Sequence, residues 1–346
     1  MRAGRRSWAW AWALVVAIAA AAPVAAAEPH KTVHGAKAMG TTLQLTVWSD
    51  DEAEAAAGAQ AVIAEFNRLD AMMTTWTPDS EVSRINAAAG KAAVKVSTET
   101  VEVLARALEV SRLSKGVFDI TVGAFRGLWK FDQDMDGTLP DPAEVKRRLA
   151  LVGWRDVVLD KKKRTVKLRK KGMAITLGGI AKGYAVDRAV AILHARGLTD
   201  FILQAGGDLY VSGAKGPKPW VVGIRDPRAG RDVSFAVAPV TDHAFSTSGD
   251  YERGFVKDGV RYHHILDPRT GQPARASRSV TLLAKDAFTA DAWSKVLFIL
   301  GPDQAMALVE KTPDLEAAWV DAHNVVRVSS GLKDRLTILH PPTDAP

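Results

Sequence analysis

Cysteine is absent from this chain of 346 residues. Its absence excludes disulfide bonds, thiol nucleophiles and a lipid-modified cysteine at an N-terminal cleavage site. A chain without cysteine suits an oxidising compartment, although this property does not by itself place the protein in one.

A large excess of one charge is also lacking. The formal net charge is +7, and it falls to +4 when Arg2, Arg5 and Arg6 at the N-terminus are left out. The densest basic stretch is KKKRTVKLRKK at residues 161–171, and no aromatic residue interrupts it. This pattern favours a solvated hairpin over a nucleic-acid surface. Nucleic acid is therefore not an expected partner.

Apolar runs long enough to cross a membrane are missing too. The run at residues 8–22 is shorter than the ~20 residues that a span needs. Arginines precede it and Ala25-Ala26-Ala27 follow it, which is typical of a cleaved signal peptide. We expect residues 1–27 to be a signal peptide and residues 28–346 to form a single periplasmic domain with no stable membrane span. The alternative is a retained leader that anchors the protein, and the export route stays open between the general and twin-arginine pathways.

The remaining composition is that of an ordinary globular protein, and its periodicity predicts both helices and short strands. Helices are predicted at residues 51–69, 98–113, 141–149, 180–196, 287–300 and 303–311, and strands at 43–48, 157–159, 166–168 and 174–177. The regular strand–helix alternation of a doubly wound sheet is not present. We therefore expect an α+β fold in which mixed, largely antiparallel sheets pack with helices.

A glycine-rich turn precedes the helix predicted at 180–196. Its sequence is ITLGGIAKGYAVD at residues 175–187, with Gly178 and Gly179 between a predicted strand and the helix. Paired glycines let the backbone approach a ligand and adopt positive φ. The free N–H groups of the helix N-terminus suit a phosphate, and Lys182 adds a charge. The alternative is a tight turn followed by a solvated lysine.

Two further segments contain groups suited to acid–base or metal chemistry. VRYHHILDPRTGQP at residues 260–273 contains His263 and His264, which point to opposite faces of a strand, so at most one of them lines a given site. Asp291 stands between alanines at the start of an apolar helix, where a carboxylate needs a partner or a cation. Each has a structural alternative: a core histidine for the first segment and helix capping for the second.

Aromatic residues are few, and two of them lie in polar surroundings. Trp76 is part of a polar stretch at residues 69–86, and Phe118 precedes Asp119 in a strand-like run at 118–123. Trp76 and Phe118 are candidates to sandwich a planar ring, whereas burial in the core is the commoner role of a single aromatic.

Taken in order, these segments resemble the ApbE family of FAD:protein FMN transferases, and the resemblance covers residues 39 to about 300. The matching stretches are MGTT (39–42), LDAMMTTWTPDSEVSRIN (69–86), FDITVGAFRGLWKF (118–131), LGGIAKGYAVD (177–187), QAGGDLYVSG (204–213), TSGDYERGF (247–255), YHHILDPRTGQPA (262–274) and ADAWS (290–294).

The resemblance implies a specific reaction. Such enzymes hold FAD with Mg²⁺ on its pyrophosphate and transfer the FMN half to a threonine or serine hydroxyl of a target protein, releasing AMP. Some relatives hydrolyse FAD to FMN and AMP instead. The implied partners are therefore FAD and an acceptor protein that carries a threonine or serine flavinylation motif.

The resemblance also implies roles for particular residues. His264 takes the acid–base role, and Asp291 is both a metal ligand and a catalytic residue. The backbone carbonyl of Gly179 and the side chain of Ser294 complete the implied metal site. The implied cofactor-binding residues are Met39, Trp76, Val117, Phe118, Asp119, Thr176, Lys182 and Ile265.

Two positions depart from the family pattern. Thr176 stands where family members commonly carry an aspartate that anchors the nucleotide, and Lys295 stands where a threonine or serine lies near the metal. Lys295 either repels the cation or turns outward along the helix. These departures keep two alternatives open: a flavin-binding protein without chemistry, and a Mg²⁺-dependent FAD pyrophosphatase.

Overall fold

The computed structural model describes residues 28–131 and 134–345. The predicted signal peptide at residues 1–27 lies outside the described residues. Among those that are described, no helix combines the length and apolar character that a membrane crossing requires.

One large antiparallel sheet forms the centre of the molecule. Its strand order is β1-β2-β6-β7-β10-β15-β16-β17. The strands are β1 (His30–Ala38), β2 (Thr41–Ser49), β6 (Phe201–Ala205), β7 (Asp208–Ser212), β10 (His243–Gly249), β15 (Ser277–Ala284), β16 (Glu316–Asp321) and β17 (Val326–Val328).

Smaller antiparallel sheets and hairpins lie around it. One three-stranded sheet joins β18 (Thr337–Ile338), β9 (Ser234–Val240) and β8 (Trp220–Arg225), and another joins β3 (Val94–Lys95), β5 (Thr165–Leu168) and β4 (Val157–Asp160). The hairpins are β11 (Gly254–Lys257) with β12 (Val260–His263) and β13 (Leu266–Asp267) with β14 (Gln272–Pro273).

The longer helices cover one face of the central sheet. The α-helices are α1 (Glu52–Met73), α2 (Glu81–Ala87), α3 (Thr98–Leu113), α4 (Pro142–Leu149), α5 (Ala181–Ala195), α6 (Ala287–Val309) and α7 (Ser330–Lys333), and the 3-10 helices are η1 (Ile120–Phe125) and η2 (Trp154–Asp156). Of these, α6 contacts β10, β15 and α5, while α5 contacts α1 and β7.

The central sheet separates two apolar cores, as the alternation along its strands requires. In β16, Ala317 and Trp319 face the helices, whereas Ala318 and Val320 face the sheet formed by β8 and β9. A chain with helices on one side of an antiparallel sheet is an α+β protein, and this confirms the predicted fold class.

One predicted helix keeps its bounds because a local residue fixes its start, and two others merge. The predicted helix at 98–113 is α3, and the hydroxyl of Ser97 caps it by accepting the amide of Thr100. The helices predicted at 287–300 and 303–311 form the single element α6, which is kinked at Gly301 with φ of 70°.

Other elements differ from prediction. Residues 174–177 form no strand, because the side-chain amide of Asn86 takes both backbone hydrogen bonds of Ile175, at 2.8 and 2.9 Å. The strand-like run at 118–123 becomes η1, since the carboxylate of Asp119 caps it at the amide of Thr121. Strand β1, which was not predicted, pairs with β2 along its whole length.

Candidate nucleotide site

The glycine turn leads directly into α5. Neither Gly178 nor Gly179 has a positive φ, so the expected left-handed backbone is wrong for this turn. A Cβ on Gly178 would meet the hydroxyl of Thr176 at 3.5 Å, and one on Gly179 would meet the ring of Phe118 at 3.5 Å, both ordinary contacts. The fold itself therefore does not require glycine at these two positions. Because they carry no side chain, a ligand can approach the backbone of the turn closely.

Helices α5 and α6 cap each other. The carboxylate of Asp291 in α6 accepts the amide of Gly183, in the first turn of α5, at 2.9 Å. In return, Asp187 in α5 accepts the amides of Ala287 and Phe288, at the start of α6, at 2.6 and 3.0 Å. These bonds satisfy N–H groups that have no partner within their own helices. Asp291 is therefore fixed at the positive end of α5.

A buried cluster of two lysines and two aspartates surrounds this helix end. Lys182 Nζ lies 3.1 Å from a carboxylate oxygen of Asp208 in β7 and 3.9 Å from one of Asp291. Lys295 donates to the other oxygen of Asp291, one helical turn away. The side chain of Asp291 is 0% exposed and that of Lys295 only 17%. Lys295 thus turns inward, so the outward alternative is wrong.

Burial disfavours every charge in this cluster, and opposite charges outweigh it at Lys182 and Asp208 but not at Asp291. Burial opposes a charge on Lys182, but Asp208 and Asp291 outweigh it and raise the pKa of the lysine. Burial likewise disfavours ionised Asp208, but Lys182 and Lys295 outweigh it and lower the pKa of that carboxyl. Burial and the neighbouring Asp208 raise the pKa of Asp291, against the opposing effect of the two lysines. Asp208 was not predicted, although it lies in the quoted stretch at 204–213.

The implied metal ligand Ser294 is fully engaged by the protein. Its hydroxyl lies 2.8 Å from the carbonyl oxygen of Asp291, 2.7 Å from the hydroxyl of Ser248 and 3.3 Å from Lys295 Nζ. A serine hydroxyl has one hydrogen and two acceptor lone pairs. When the hydrogen goes to the carbonyl of Asp291, Ser248 and Lys295 occupy both lone pairs.

The side chains present do not fit the predicted Mg²⁺ site. Mg²⁺ needs oxygen ligands with free lone pairs in near-octahedral geometry. Here Lys295 occupies Asp291 and Ser294, the two side chains that were to bind the ion. Over residues 28–131 and 134–345, no group of three or more histidine, aspartate or glutamate side chains is placed to hold a metal ion.

The two adjacent histidines have different environments. The ring Nε2 of His263 lies 2.8 Å from the carbonyl oxygen of Ala274, and its Nδ1 lies 3.3 Å from the amide of Ile265. A neutral ring protonated at Nε2 satisfies both contacts, and burial lowers the pKa of His263 to about 4. His263 is therefore a structural residue.

His264 is half-buried, and its Nδ1 has no hydrogen-bond partner among the described residues. Burial lowers the pKa of His264 well below its ordinary value, and the nearby charges of Arg253, Lys295 and Lys182 lower it further. The imidazole is therefore neutral at physiological pH and close to the cluster of lysines and aspartates.

The predicted ring-contacting residues occupy two places beside η1. Phe118 precedes η1 and lies next to the glycine turn. At the other end, the guanidinium of Arg126 lies 4.8 Å from the ring centroid of Trp76, which is 67% exposed.

The other predicted contact residues serve the fold in this structure. Val117 and Ile265 are buried in the helix-side core, and Met39 packs against it. Both carboxylate oxygens of Asp119 accept hydrogen bonds, from Thr121 and from the amide of Trp154.

Thr176 takes part in the glycine turn itself. Its hydroxyl accepts the amide of Gly178 at 3.3 Å. A hydroxyl at this position supplies an acceptor for the turn, as an aspartate does, but it carries no charge.

Together, the fold and the site define an α+β protein with a cationic, phosphate-suited helix end beside a neutral histidine. The ApbE family profile matches residues 39–319. An FAD:protein FMN transferase of Treponema pallidum is 34% identical over 317 residues, which are 87% of this chain and 87% of that protein.

Solved structures agree with the sequence comparisons. The ApbE protein of Thermotoga maritima superposes with a TM-score of 0.81 at 35% identity, over 88% of this chain and 99% of the other. The flavin transferase ApbE of Vibrio cholerae gives a TM-score of 0.79 at 27% identity, over 89% of this chain and 99% of that protein. The chain therefore belongs to the ApbE family, as predicted, and it is an enzyme of the transferase class.

Proposed function

We propose that the chain transfers FMN from FAD to a threonine or serine hydroxyl of an acceptor protein and releases AMP. The hydroxyl oxygen attacks the phosphorus on the FMN side of the diphosphate. A new bond forms between that oxygen and phosphorus, the bond to the bridging oxygen breaks, and AMP leaves with the bridging oxygen. The observation that carries the proposal is the neutral imidazole of His264 beside the cationic end of α5.

Each part of the site has a task in this reaction. The neutral imidazole of His264 takes the proton of the attacking hydroxyl. Lys182 and the first N–H groups of α5 stabilise charge on the diphosphate oxygens. Phe118 and the exposed ring of Trp76 offer faces to the planar parts of FAD.

Asp291 positions these groups by holding Lys182, Lys295 and the amide of Gly183. We include no metal step, because Lys295 already occupies the two side chains, Asp291 and Ser294, that were predicted to bind Mg²⁺.

We also propose that the enzyme is exported. Residues 1–27 would be removed as a signal peptide, and residues 28–346 would act as a single domain on an exported acceptor protein. The absence of cysteine is compatible with that compartment.

The test is an assay of the chain from residue 28 with FAD and an acceptor domain that carries a threonine or serine flavinylation motif. We expect the intact mass of the acceptor to rise by that of FMN and an equal amount of AMP to appear. The flavin transferase of Vibrio cholerae serves as the positive control.

Two other outcomes correspond to the remaining candidate functions. Release of AMP without an acceptor would indicate an FAD pyrophosphatase. Tight FAD binding without AMP release, while the Vibrio enzyme modifies the same acceptor, would indicate a flavin-binding protein and contradict the transferase.

A further inference from the structure

The ammonium group of Lys295 occupies the position of a cation in this site. It contacts a carboxylate oxygen of Asp291 and the hydroxyl oxygen of Ser294, the two side chains that the family resemblance assigns to a metal ion. Both of these side chains are 0% exposed, so their partners are fixed by the interior of the protein. An ion pair along a solvated helix face would not bring the lysine into this position.

The contacts of Lys295 extend the cationic end of α5. Its charge acts on Asp208 and on His264 as well as on Asp291. Lys182 acts on Asp208, Asp291 and His264 from the neighbouring helix, and Arg253 acts on Lys182 and His264. Two ammonium groups and two carboxylates therefore surround the helix end, with the charge of Arg253 close by.

The two departures from the family pattern change the charge in the same direction. Thr176 removes a negative charge at the glycine turn, and Lys295 adds a positive charge. Together they supply the charge that one divalent ion would bring. A lysine is a compact point charge with three donors and is a common ligand of phosphate groups.

We infer that Lys295 is a built-in replacement for the divalent ion: with Lys182, its ammonium group binds the diphosphate of the nucleotide directly, so that this chain binds FAD without Mg²⁺. The inference rests on the proposed function for the identity of the ligand. It requires that the diphosphate lies against α5, where both ammonium groups meet.

The decisive measurement is the dissociation constant of FAD, determined by flavin fluorescence in EDTA and in millimolar Mg²⁺. We expect equal values for the wild-type chain in the two conditions. For K295T, we expect the constant in EDTA to rise roughly tenfold to a hundredfold, the effect of one charge-assisted hydrogen bond. Mg²⁺ should restore binding to K295T, because the substitution frees Asp291 and Ser294 and adds a hydroxyl.

Further variants separate the charge of Lys295 from its structural contribution. K295M should lose affinity and be rescued by Mg²⁺ less than K295T, since it frees Asp291 and Ser294 but adds no hard ligand. K285T is the matched control, because Lys285 lies just before α6, is 70% exposed and pairs with Asp314 outside the site.

Metal binding is measured separately with Mn²⁺ as a paramagnetic probe and FAD present. K295T should bind Mn²⁺. The wild-type chain with FAD should bind no more Mn²⁺ than the same amount of FAD binds in the absence of protein.

The inference is wrong if the wild-type chain needs Mg²⁺ to bind FAD, or if folded K295T binds FAD in EDTA as the wild-type chain does. The wild-type comparison requires no variant, so a misfolded K295T would not leave the question open. Binding without Mg²⁺ but without FMN transfer would contradict the proposed function alone. FMN transfer by a chain that binds FAD only with Mg²⁺ would contradict this inference and leave the assignment as a transferase intact.

Discussion

Two adjacent histidines illustrate what single residues contribute in this protein. His263 and His264 are neighbours in sequence, yet the ring nitrogens of His263 are both bonded within the fold, whereas Nδ1 of His264 has no partner among the described residues. Burial lowers the pKa of each ring. The same chemical group therefore stabilises the fold at one position and is available for chemistry at the next.

We expect H264N to lose FMN transfer while it retains FAD binding. General-base catalysis typically contributes ~10²–10⁴-fold, so the rate should fall by at least ~100-fold. Because the pKa of His264 is lowered, transfer by the wild-type chain should persist below pH 6.5, where an ordinary histidine becomes protonated. H323N, at an exposed histidine, is the control. An unchanged transfer rate in H264N would remove this residue from the base role.

His263 should make folding sensitive to acid. The pKa of its ring is about 4 in the folded chain, below the ordinary value of 6.5. Between these values the unfolded chain binds a proton that the folded chain excludes, so stability is complete above pH 6.5 and falls as the pH falls towards 4. The loss should reach about 3 kcal/mol.

The measurement is urea unfolding of the wild-type chain and H263Q at pH 7 and pH 4.5. H263Q should be less stable at pH 7, because it alters two buried contacts, but its stability should depend less on pH. An equal loss of stability in both proteins between the two pH values would contradict the assignment.

At the scale of elements, the pairing of α5 and α6 decides the geometry of the site. Asp291 caps α5, Asp187 caps α6, and Gly183 allows the two helices to approach closely. Asp291, which the sequence presents as a ligand or cap candidate, and Asp187, which it does not, therefore fix one helix end against another. Asp291 caps α5 and also forms ion pairs with Lys182 and Lys295.

Substitution of Gly183 should disrupt this pairing. A Cβ there would lie 2.3 Å from the carbonyl oxygen of Ala287 and 2.7 Å from Cβ of Asp291, so the helices would have to separate. We expect G183A to lower the free energy of unfolding by about 1–3 kcal/mol and to weaken FAD binding, although alanine is the better helix former.

Thermal and urea unfolding with an FAD titration test this prediction. The matched control is G35A, because Gly35 has no positive φ and a Cβ there would meet no atom within 4 Å. If G183A were as stable as G35A and bound FAD normally, the close approach of the helices would not matter for the site.

At the scale of the whole molecule, the site lies where helices α5 and α6 meet strands β7 and β10 of the central sheet. Asp208 comes from β7, Ser248 from β10, Lys182 from α5 and Lys295 from α6. Four elements that are distant in sequence thus meet at one helix end. The site therefore depends on the complete domain and not on one motif.

Removal of the leader should leave this domain intact. We expect the chain from residue 28 to match the full chain in melting temperature and FAD affinity. The exported protein should begin at Glu28 in N-terminal sequencing, as the Ala25-Ala26-Ala27 site predicts. A secreted product that begins at Met1 would instead indicate a retained anchor.

The amino-acid sequence by itself determined the family, the fold class and the elements whose ends are set by local groups. Helix α3 has its predicted bounds because Ser97 caps it. Predictions failed where a distant group replaced a local one. Asn86 supplies the hydrogen bonds of residues 174–177, and β1 exists only through its pairing with β2.

Only the tertiary structure decided how the site residues are used. The spacing of Asp291 and Lys295 allows an ion pair along a helix, but the sequence does not say whether that lysine points to solvent or into the site. The packing of α6 against α5 and β10 turns it inward onto Asp291 and Ser294. The physical reason is that local hydrogen bonds and periodicity specify elements, whereas burial among distant elements fixes which lone pairs, charges and ring nitrogens remain available for a ligand.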